Sequence, residues 1–403
     1  MRNEDLTGRD PAPDLARGLA LALIAIANVM IYLDDRPYGL RQHVVEHDWL
    51  DRLAGAVTVT FVDGRAYPLF AALVGYGLVR IAERAGAGDP TSPAARWAVR
   101  RRSAWLIAFG FVHALIGFSG DVLGWYGLLG VVLAAGLGAS DRTLLRLAAA
   151  WLVLASLVQG LLYSDPQIRE QRSFLWSYVI DDPLTALGWR LVEWPMTPFG
   201  LLAVASPVLV GIWAARRHLL EHPERYRRLL RWTAAVGIGS GVVGGLALAV
   251  TIELTATGHP VPYPTVVVIS VLHVVTGVFC GLGYLAFIAL LATRLRDRRR
   301  GRAASRVTAA LRATGRRSLS CYLAQTVVFV ALLPAWTLGW GAQLSTAGAV
   351  LLALGTWVVT VLLADLAAAH GRTGPAEQLL RRLSRRSAPA TTVHPPDNRA
   401  TIG

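Results

Sequence analysis

The chain has 403 residues, of which 54% are hydrophobic and only 16% are charged. Soluble domains carry about 25% charged residues, so this composition excludes a conventional soluble enzyme, a coiled coil and a disordered protein. The charged residues cluster between apolar stretches that are long enough to cross a bilayer. The composition therefore predicts an all-α, polytopic integral membrane protein built as a helical bundle.

The net charge is +14, and all 40 basic residues are arginine. We do not expect nucleic acid as a partner, because the arginines lie between the apolar stretches, where membrane topology accounts for them. The two cysteines, Cys280 and Cys321, each lie inside an apolar stretch, and their spacing is not that of a metal site. We expect both to be small apolar core residues.

Apolar stretches of about 17–25 residues predict about ten transmembrane helices. They lie near residues 15–33, 62–82, 103–119, 122–139, 143–163, 197–215, 232–256, 264–293, 318–338 and 345–369. Asp63, Gly64 and Arg65 interrupt the apolar run of the second helix. The third helix leads through Ser119 and Gly120 directly into the fourth, which predicts a tight helical hairpin.

Arginine placement predicts the orientation of these helices. If the N-terminus is inside and the chain crosses ten times, the cytoplasmic segments contain 33 arginines and the outer loops contain 7. Because arginine is enriched in cytoplasmic segments, both termini are predicted to be cytoplasmic, in a plasma-membrane protein. No small-x-small cleavage site precedes Asp34, so we expect the first apolar stretch to be a retained helix rather than a cleaved signal peptide.

Three regions follow from this pattern. We predict a cytoplasmic N-terminal segment at 1–14, a single transmembrane helical domain at 15–383 and a disordered cytoplasmic tail at 384–403. The tail is rich in Ser, Thr, Pro and Ala and shows no apolar periodicity. No internal repeat is visible that would indicate an inverted-repeat transporter.

His113 and Asp121 are the first candidate catalytic pair. The hairpin turn folds the chain back between them, so the imidazole and the carboxylate are expected to approach each other. A carboxylate that orients a histidine is a common way to build a general base. In the alternative, Asp121 caps the fourth helix and His113 bonds a neighbouring helix.

Other polar residues within the predicted helices also have two interpretations. Asn28, His273 and Gln325 either link helices through hydrogen bonds or contact a substrate. Glu253 either reaches interfacial water or serves as a proton site, and Asp365 either pairs with a cytoplasmic arginine or serves in the same way.

The loops on the two sides differ in chemistry. The first outer loop carries His43 and His47 with nearby acids, and such a group indicates either a metal site or a solvated acidic loop. On the inner side, Arg294–Arg317 contains ten arginines. These arginines would attract anionic lipid headgroups or the phosphates of coenzyme A, although topology alone explains them.

Five ordered blocks of residues stand out between Asp14 and Leu383. They are Asp14–Gly18 with Asn28; Asp63–Arg65 with Leu69–Phe70 and Gly75–Gly77; Arg101–Arg102 with Gly110, His113, Gly120–Leu123 and Tyr126–Gly127; Gly315–Arg316 with Ser318–Ser320, Tyr322–Leu323 and Gln325; and Gly374–Pro375 with Glu377 and Leu380–Arg381. Together they resemble the YeiB-like family of bacterial polytopic membrane proteins, which carries a domain of unknown function. Cys321 stands where that family usually has Asn, and Gln378 where it usually has Trp. The first departure argues against a polar role at 321, and the second against an aromatic anchor at 378.

The resemblance implies a multi-pass membrane protein without a settled activity. The opening helix is also similar to that of the membrane acyltransferase superfamily. Members of that superfamily move an acyl group from a cytoplasmic donor to an extracytoplasmic acceptor by means of a histidine. In some members the histidine follows the first helix, in the region where this chain has His43 and His47.

Acyl transfer from a cytoplasmic acyl-CoA to an extracytoplasmic acceptor is the first functional prediction. His113, or alternatively His47, would act as the general base, and Asp121 would orient it. The residues expected to bind substrate are Arg17, Asn28, Arg65, Tyr126, His273, Arg316, Tyr322 and Gln325. Acyl-CoA is the expected co-substrate, membrane lipids are expected partners, and the acceptor is a small molecule, a glycan or a lipid.

A secondary transporter or exporter of a small metabolite or lipid is the alternative. His113, His273, Glu253 and Asp365 would then be proton or substrate sites. The five glycines within Gly237–Gly245 would mark either a break in the seventh helix or close helix packing, and we favour packing. A non-catalytic scaffold or stress sensor is a third possibility.

Overall fold

The computed structural model describes residues 11–297 and 302–384, and within them the chain is all-α. The helices are α1 (Pro11–Val29), α2 (Trp49–Phe61), α3 (Ala66–Ala85), α4 (Pro93–Ile116), α5 (Leu123–Leu133), α6 (Asp141–Leu162), α7 (Pro183–Gly200), α8 (Ala205–Arg216), α9 (Arg227–Ala256), α10 (Tyr263–Asp297), α11 (Arg302–Arg316), α12 (Ser318–Leu332), α13 (Thr346–Ala369) and α14 (Pro375–Ser384). Most of the predicted segments 1–14 and 384–403 lies outside the described residues.

Six helical segments in the described part of the chain are long and apolar enough to cross a membrane. They are Ala12–Tyr32, Trp49–Ala85, Asp141–Leu162, Arg227–Ala256, Tyr263–Leu295 and Thr346–Ala369. Helices α7 and α8 pass the same test as a pair and bend by 53° at their junction. The prediction of a multi-pass, all-helical membrane protein is therefore confirmed. Among the described residues, six segments, or seven if the bent pair is one span, have the length and composition of a crossing, so the prediction of about ten crossings is not confirmed.

Helices also occupy the other predicted positions, but they do not reach full length. α5 has 11 residues and α12 has 15, whereas a straight crossing needs about 20 residues. α4 has 24 residues, but it carries four arginines up to Arg102, so its apolar part is shorter than a span. The bend between α7 and α8 follows Pro195 and Pro198 inside α7, since proline removes backbone donors.

Asp63, Gly64 and Arg65 form a break inside the second spanning segment, between α2 and α3. Gly64 has a φ of 70°, a left-handed conformation that glycine adopts without steric cost. Its Cα faces the His273 imidazole, because a Cβ added there would lie 3.4 Å from Nε2 of that ring. The interruption in the sequence is therefore a turn that brings Asp63 and Arg65 to α10.

The glycine run of α9 packs against α10, and α9 is continuous from Arg227 to Ala256. A Cβ at Gly237 would meet the carbonyl oxygen of Phe279, and one at Gly244 would meet the Thr276 hydroxyl. Gly239 lies on the other face, with open space around it. Close helix packing, the favoured interpretation of these glycines, is what the structure shows.

The contrast between Gly237 and Gly239 provides a test within one helix. Gly237→Ala should destabilise the protein by about 1–3 kcal/mol, because the added methyl group overpacks a backbone contact. Gly239→Ala should be neutral or stabilise by up to about 1 kcal/mol, because alanine favours helix more than glycine does. Thermal unfolding in detergent measures both variants. Equal unfolding temperatures for the two variants would contradict the close packing of α9 on α10 at Gly237.

The ends of α1, α11 and α14 meet at one side of the bundle. α1 and α11 cross through glycines, since a Cβ at Gly18 would meet the Leu311 carbonyl oxygen and one at Gly315 would meet the Asp14 carbonyl oxygen. Glu377 of α14 accepts hydrogen bonds from the first backbone N–H groups of α12, with Leu319 N at 2.7 Å from its Oε1. These contacts join α1 to α11 and α14 to the start of α12.

Candidate functional site

Two cavities lie along α1, one against each half of the helix. The larger, about 590 Å³, is lined on α1 by Asp14, Arg17 and Ile24 among others, and we call it the arginine cavity. The smaller, about 230 Å³, is lined by Ala27 of α1 and by Met30 and Ile31 directly after it, and we call it the Asp63 pocket. At 1.5 Å per residue, Asp14 and Met30 lie about 24 Å apart along the helix. The two cavities therefore belong to opposite halves of the bundle.

The arginine cavity is cationic. Its lining contains six arginines and three acids: Arg17, Arg80, Arg84, Arg102, Arg316 and Arg381, with Asp14, Glu221 and Glu377. Asp14 pairs with two of these arginines, at 3.4 Å from Arg17 and 3.4 Å from Arg316. The formal excess of three positive charges favours an anionic ligand.

Arg102 lines this cavity, and both burial and a neighbouring arginine oppose its charge. It stands at the polar end of α4, just before the apolar part of that helix. Burial lowers the pKa of the Arg102 guanidinium, and the neighbouring Arg17 guanidinium lowers it further. A bound anion would relieve both effects, because it would supply the counter-charge that water supplies at a surface.

The rest of the arginine cavity is apolar. Its walls are formed by side chains from α1, α3, α4, α5 and α12, namely Leu21, Ile24, Phe70, Leu73, Leu106, Leu123, Tyr126 and Tyr322. A cavity with arginines at one end and aliphatic or aromatic walls at the other fits an amphiphile that has an anionic head and an apolar chain.

His113, Asp121 and Thr326 form a buried hydrogen-bonded chain beside this cavity. His113 Nδ1 lies 2.8 Å from Asp121 Oδ1, and His113 Nε2 lies 2.8 Å from Thr326 Oγ1. Each of the three residues is at most 2% exposed. A carboxylate oxygen accepts hydrogen bonds, so the Asp121 contact orients the ring through Nδ1. Nε2 shares the second hydrogen bond with the Thr326 hydroxyl.

The local sequence explains how the pair forms. α4 ends at Ile116, and Gly117, with a φ of 154°, begins the turn toward α5. Gly110 allows α5 to approach, because a Cβ there would meet both the Asp121 carboxylate and the backbone of Gly124. Asp121 Oδ2 also accepts from the Gly124 N–H at 2.7 Å. The two interpretations of Asp121 therefore coexist, since one oxygen caps α5 and the other holds His113.

Tyr322 separates His113 from the arginine cavity. Its ring lines the cavity, and its centroid lies 4.9 Å from that of the His113 ring. Phe118 covers the imidazole at 5.5 Å between centroids. The buried Tyr322 hydroxyl has no hydrogen-bond partner, so packing alone holds this side chain in place. Rotation of Tyr322 would open the arginine cavity toward His113.

A layer of polar contacts separates the arginine cavity from the Asp63 pocket. The Tyr67 hydroxyl donates to Asn28 Oδ1 at 2.6 Å, and the Tyr126 hydroxyl donates to the Tyr67 carbonyl oxygen at 3.1 Å. Tyr126 lines the arginine cavity, whereas Tyr67 lines the Asp63 pocket. We call Asn28, Tyr67 and Tyr126 the tyrosine partition.

The Asp63 pocket contains a second cluster of ionisable groups. Asp63 Oδ2 lies 3.5 Å from His43 Nε2 and 3.5 Å from His273 Nε2. Arg65 is fully buried behind them, with Nη1 at 2.9 Å from His273 Nε2 and Nη2 donating to the Gly241 carbonyl oxygen at 2.8 Å. The break between α2 and α3 thus places a carboxylate between two imidazoles.

The structure divides the predicted substrate-binding residues into three groups. Those that line the arginine cavity are Arg17, Tyr126, Arg316 and Tyr322. His273 lines the Asp63 pocket, with Arg65 behind it. Asn28 belongs to the tyrosine partition, and Gln325 lies near Thr360 of α13, with Nε2 at 3.5 Å from its hydroxyl oxygen. The last two residues link helices.

His47, the alternative base, is exposed in the loop before α2 and lines neither cavity. The nearby acids bond the ends of helices instead of gathering as ligands: Asp48 caps α2 and Asp51 accepts from Ala347 N at 2.8 Å. Within residues 11–297 and 302–384, no three His, Cys, Asp or Glu side chains are arranged to hold a metal ion.

Several cavity residues were missed in the sequence, including Arg80, Arg84 and Glu221. Arg80 and Arg84 lie at the predicted cytoplasmic end of α3, where arginine is expected in any case. Glu221 lies in the predicted cytoplasmic segment after α8. Arg102 and Glu377 were recognised as parts of the resembling blocks, but no spacing rule links them to α1. Their membership of the cavity shows only when α4 and α14 pack near α1 in the folded chain.

The long apolar helices and the cavities between them define the chain as a multi-pass helical membrane protein. Residues 214–387 match the family model described as "Protein of unknown function (DUF418)". The chain is 26% identical to the "Uncharacterized protein YxaH" of Bacillus subtilis (strain 168), over 91% of this chain and 92% of that protein. No solved structure matches the chain.

Proposed function

We propose that this protein is a membrane acyltransferase that moves an acyl group from a cytoplasmic acyl-CoA to an acceptor on the opposite side of the membrane. The observation that carries the proposal is the arginine cavity, which combines six guanidinium groups with apolar walls that end at Tyr322. In this proposal the chain crosses the plasma membrane about ten times, and both termini are cytoplasmic.

The topology prediction is consistent with this orientation. The arginine cavity lies at the end of α1 that carries Asp14 and Arg17, and that end is cytoplasmic if arginines are enriched inside. Acyl-CoA is present in the cytoplasm, so its phosphates would meet the arginine end first. Arginine binds phosphate oxygens through paired hydrogen bonds, while the acyl chain would lie along the apolar walls.

His113 is the proposed general base, positioned by Asp121 through Nδ1. The acceptor O–H or N–H would lose its proton to His113 Nε2 while its oxygen or nitrogen attacks the thioester carbon. The carbon–sulfur bond would then break, and the coenzyme A thiolate would take the proton back from the imidazolium. This step needs Tyr322 to rotate and the acceptor to displace the Thr326 hydroxyl from Nε2.

Donor binding tests the proposal directly. Detergent-purified protein should unfold at a higher temperature with acetyl-CoA or a longer acyl-CoA, because a ligand at 100 times its dissociation constant adds about 2.7 kcal/mol to the folded state. Free coenzyme A should also be released when an acceptor extract is added. If no donor changes the unfolding temperature and no thiol is released, the acyltransferase proposal is wrong.

Secondary transport of a small anionic amphiphile is the second candidate. Two cavities on opposite halves of the bundle, separated by the tyrosine partition, resemble the two access routes of a transporter. The bend between α7 and α8 is a helix discontinuity of the kind found in such proteins. Flux in reconstituted vesicles without thiol release would favour this function over acyl transfer.

A further inference from the structure

The loop between α1 and α2 holds an arginine in a strained conformation at the Asp63 pocket. Arg41 and Gln42 have φ values of 58° and 60°, a left-handed conformation that non-glycine residues rarely adopt. Such strain persists only where the surroundings impose it, and it is common at ligand sites. Here the loop is held by Tyr38, whose N–H donates to the Arg169 carbonyl oxygen at 2.8 Å, and by Gln42, whose Oε1 accepts from Ser173 N at 2.8 Å.

The strained loop leaves the Arg41 guanidinium incompletely paired. Its side chain is 11% exposed, lies over the Tyr163 ring and lines the Asp63 pocket. Nε and Nη1 are buried and have no hydrogen-bond partner. The Asp63 carboxylate is 4.0 Å from Nε, which is an ion pair but too long for a hydrogen bond.

A second buried arginine lines the same pocket from the outer segment before α7. Arg172 Nη2 donates to the carbonyl oxygens of Met30 at 2.8 Å and Leu33 at 3.0 Å, but its buried Nε has no partner. Asp34 is the acidic neighbour of Arg172, and burial raises the pKa of its carboxyl to about 6.

The charges of this pocket do not balance. Arg41 and Arg172 line it and Arg65 lies behind it. Asp63 lines it and Asp34 neighbours Arg172, which leaves an excess of one positive charge. Buried guanidinium N–H groups without an acceptor are costly, and each such group in a native structure requires an explanation. An anion within reach of Arg41 would accept from these N–H groups and restore the balance.

We infer that the Asp63 pocket binds a small organic anion, a carboxylate or phosphate ester that also carries a hydroxyl or amine group. The anionic group would bond Arg41 and Arg172, and the hydroxyl or amine would donate to Asp63 or face the two imidazoles. The volume of about 230 Å³ limits the ligand to a small molecule. This site is separate from the arginine cavity and does not depend on acyl transfer.

The test uses the purified full-length protein with glycerol 3-phosphate and glycolate as anionic probes and glycerol as the uncharged control. At least one anionic probe should raise the unfolding temperature, and glycerol should not. Arg41→Gln should weaken the apparent affinity by about 10- to 100-fold, since a charge-assisted contact is lost. Without ligand, Arg41→Gln should unfold at the same or a higher temperature, because it removes an incompletely paired charge.

Arg169→Gln is the matched control. Arg169 lies between α6 and α7, and its backbone bonds Tyr38 of the strained loop. Its side chain is 47% exposed and pairs with Asp165 at 2.7 Å, so the substitution leaves the backbone contacts in place. This variant should keep the response of the wild type. The inference is overturned if no probe shifts the wild type at 10 mM or below, about the limit of a useful millimolar affinity. It is also overturned if Arg41→Gln retains the shift, or if Arg169→Gln loses it equally.

Discussion

Replacing Arg102 with glutamine should weaken acyl-CoA binding by about 10- to 100-fold, because a charge-assisted hydrogen bond contributes about 1.5–3 kcal/mol. Arg102 stands in the arginine cavity beside Arg17, and burial lowers its pKa. In the empty protein its charge is opposed by both effects. We therefore expect the ligand-free variant to be at least as stable as the wild type, so that loss of binding cannot be attributed to misfolding.

Arg142→Gln is the control for general electrostatics. Arg142 is exposed at the start of α6, on the predicted cytoplasmic side but outside the arginine cavity. Titration of the unfolding temperature with acyl-CoA gives apparent dissociation constants for both variants. Equal weakening by the two substitutions would show that acyl-CoA binding depends only on surface charge. An unchanged dissociation constant for Arg102→Gln would show that acyl-CoA does not bind in the arginine cavity.

His113→Ala should lower turnover by about 10²–10⁴-fold, the usual contribution of a general base. It should also destabilise the fold, because His113 is 2% exposed and bonds Asp121 and Thr326. The lost contacts leave buried polar groups unpaired, at a cost of about 1–3 kcal/mol. A fall in activity alone therefore does not separate catalysis from structure.

The affinity for acyl-CoA distinguishes a catalytic role of His113 from a structural one. His113 lies behind Tyr322 and does not line the arginine cavity, so the variant should still be stabilised by acyl-CoA with an unchanged dissociation constant while kcat falls. Asp121→Asn should likewise lower kcat and leave the dissociation constant of acyl-CoA unchanged. The amide oxygen can still accept from the Gly124 N–H, but the amide no longer fixes the imidazole tautomer. Full turnover by His113→Ala would refute the catalytic role. Loss of both binding and folding would indicate a structural role.

The hairpin between α4 and α5 shows how far local sequence can predict a site. His113 and Asp121 are eight residues apart with Ser119-Gly120 between them, so the turn alone limits how far apart they can lie. Their approach could be predicted without knowing any other helix. Thr326, the partner of Nε2, comes from α12, and no local pattern connects it to α4.

The break between α2 and α3 shows a site that local sequence does not predict. Asp63, Gly64 and Arg65 are visible as an interruption of an apolar run, but the run does not indicate what they face. His273 comes from α10 and His43 from the loop after α1, more than 200 residues apart in the chain. The packing of α9 on α10 through glycine, together with the left-handed turn at Gly64, brings them together.

By itself, the sequence of this protein determined its class, the positions of its longest apolar helices and the side on which its arginines are predicted to lie. These properties follow from hydrophobicity and charge, which act residue by residue against water and lipid. The tertiary structure decided how long each helix is, which arginines line a cavity, and which buried N–H groups lack an acceptor. Those properties depend on distances between helices, and small residues such as Gly18 and Gly315 set those distances only when a partner helix is in contact.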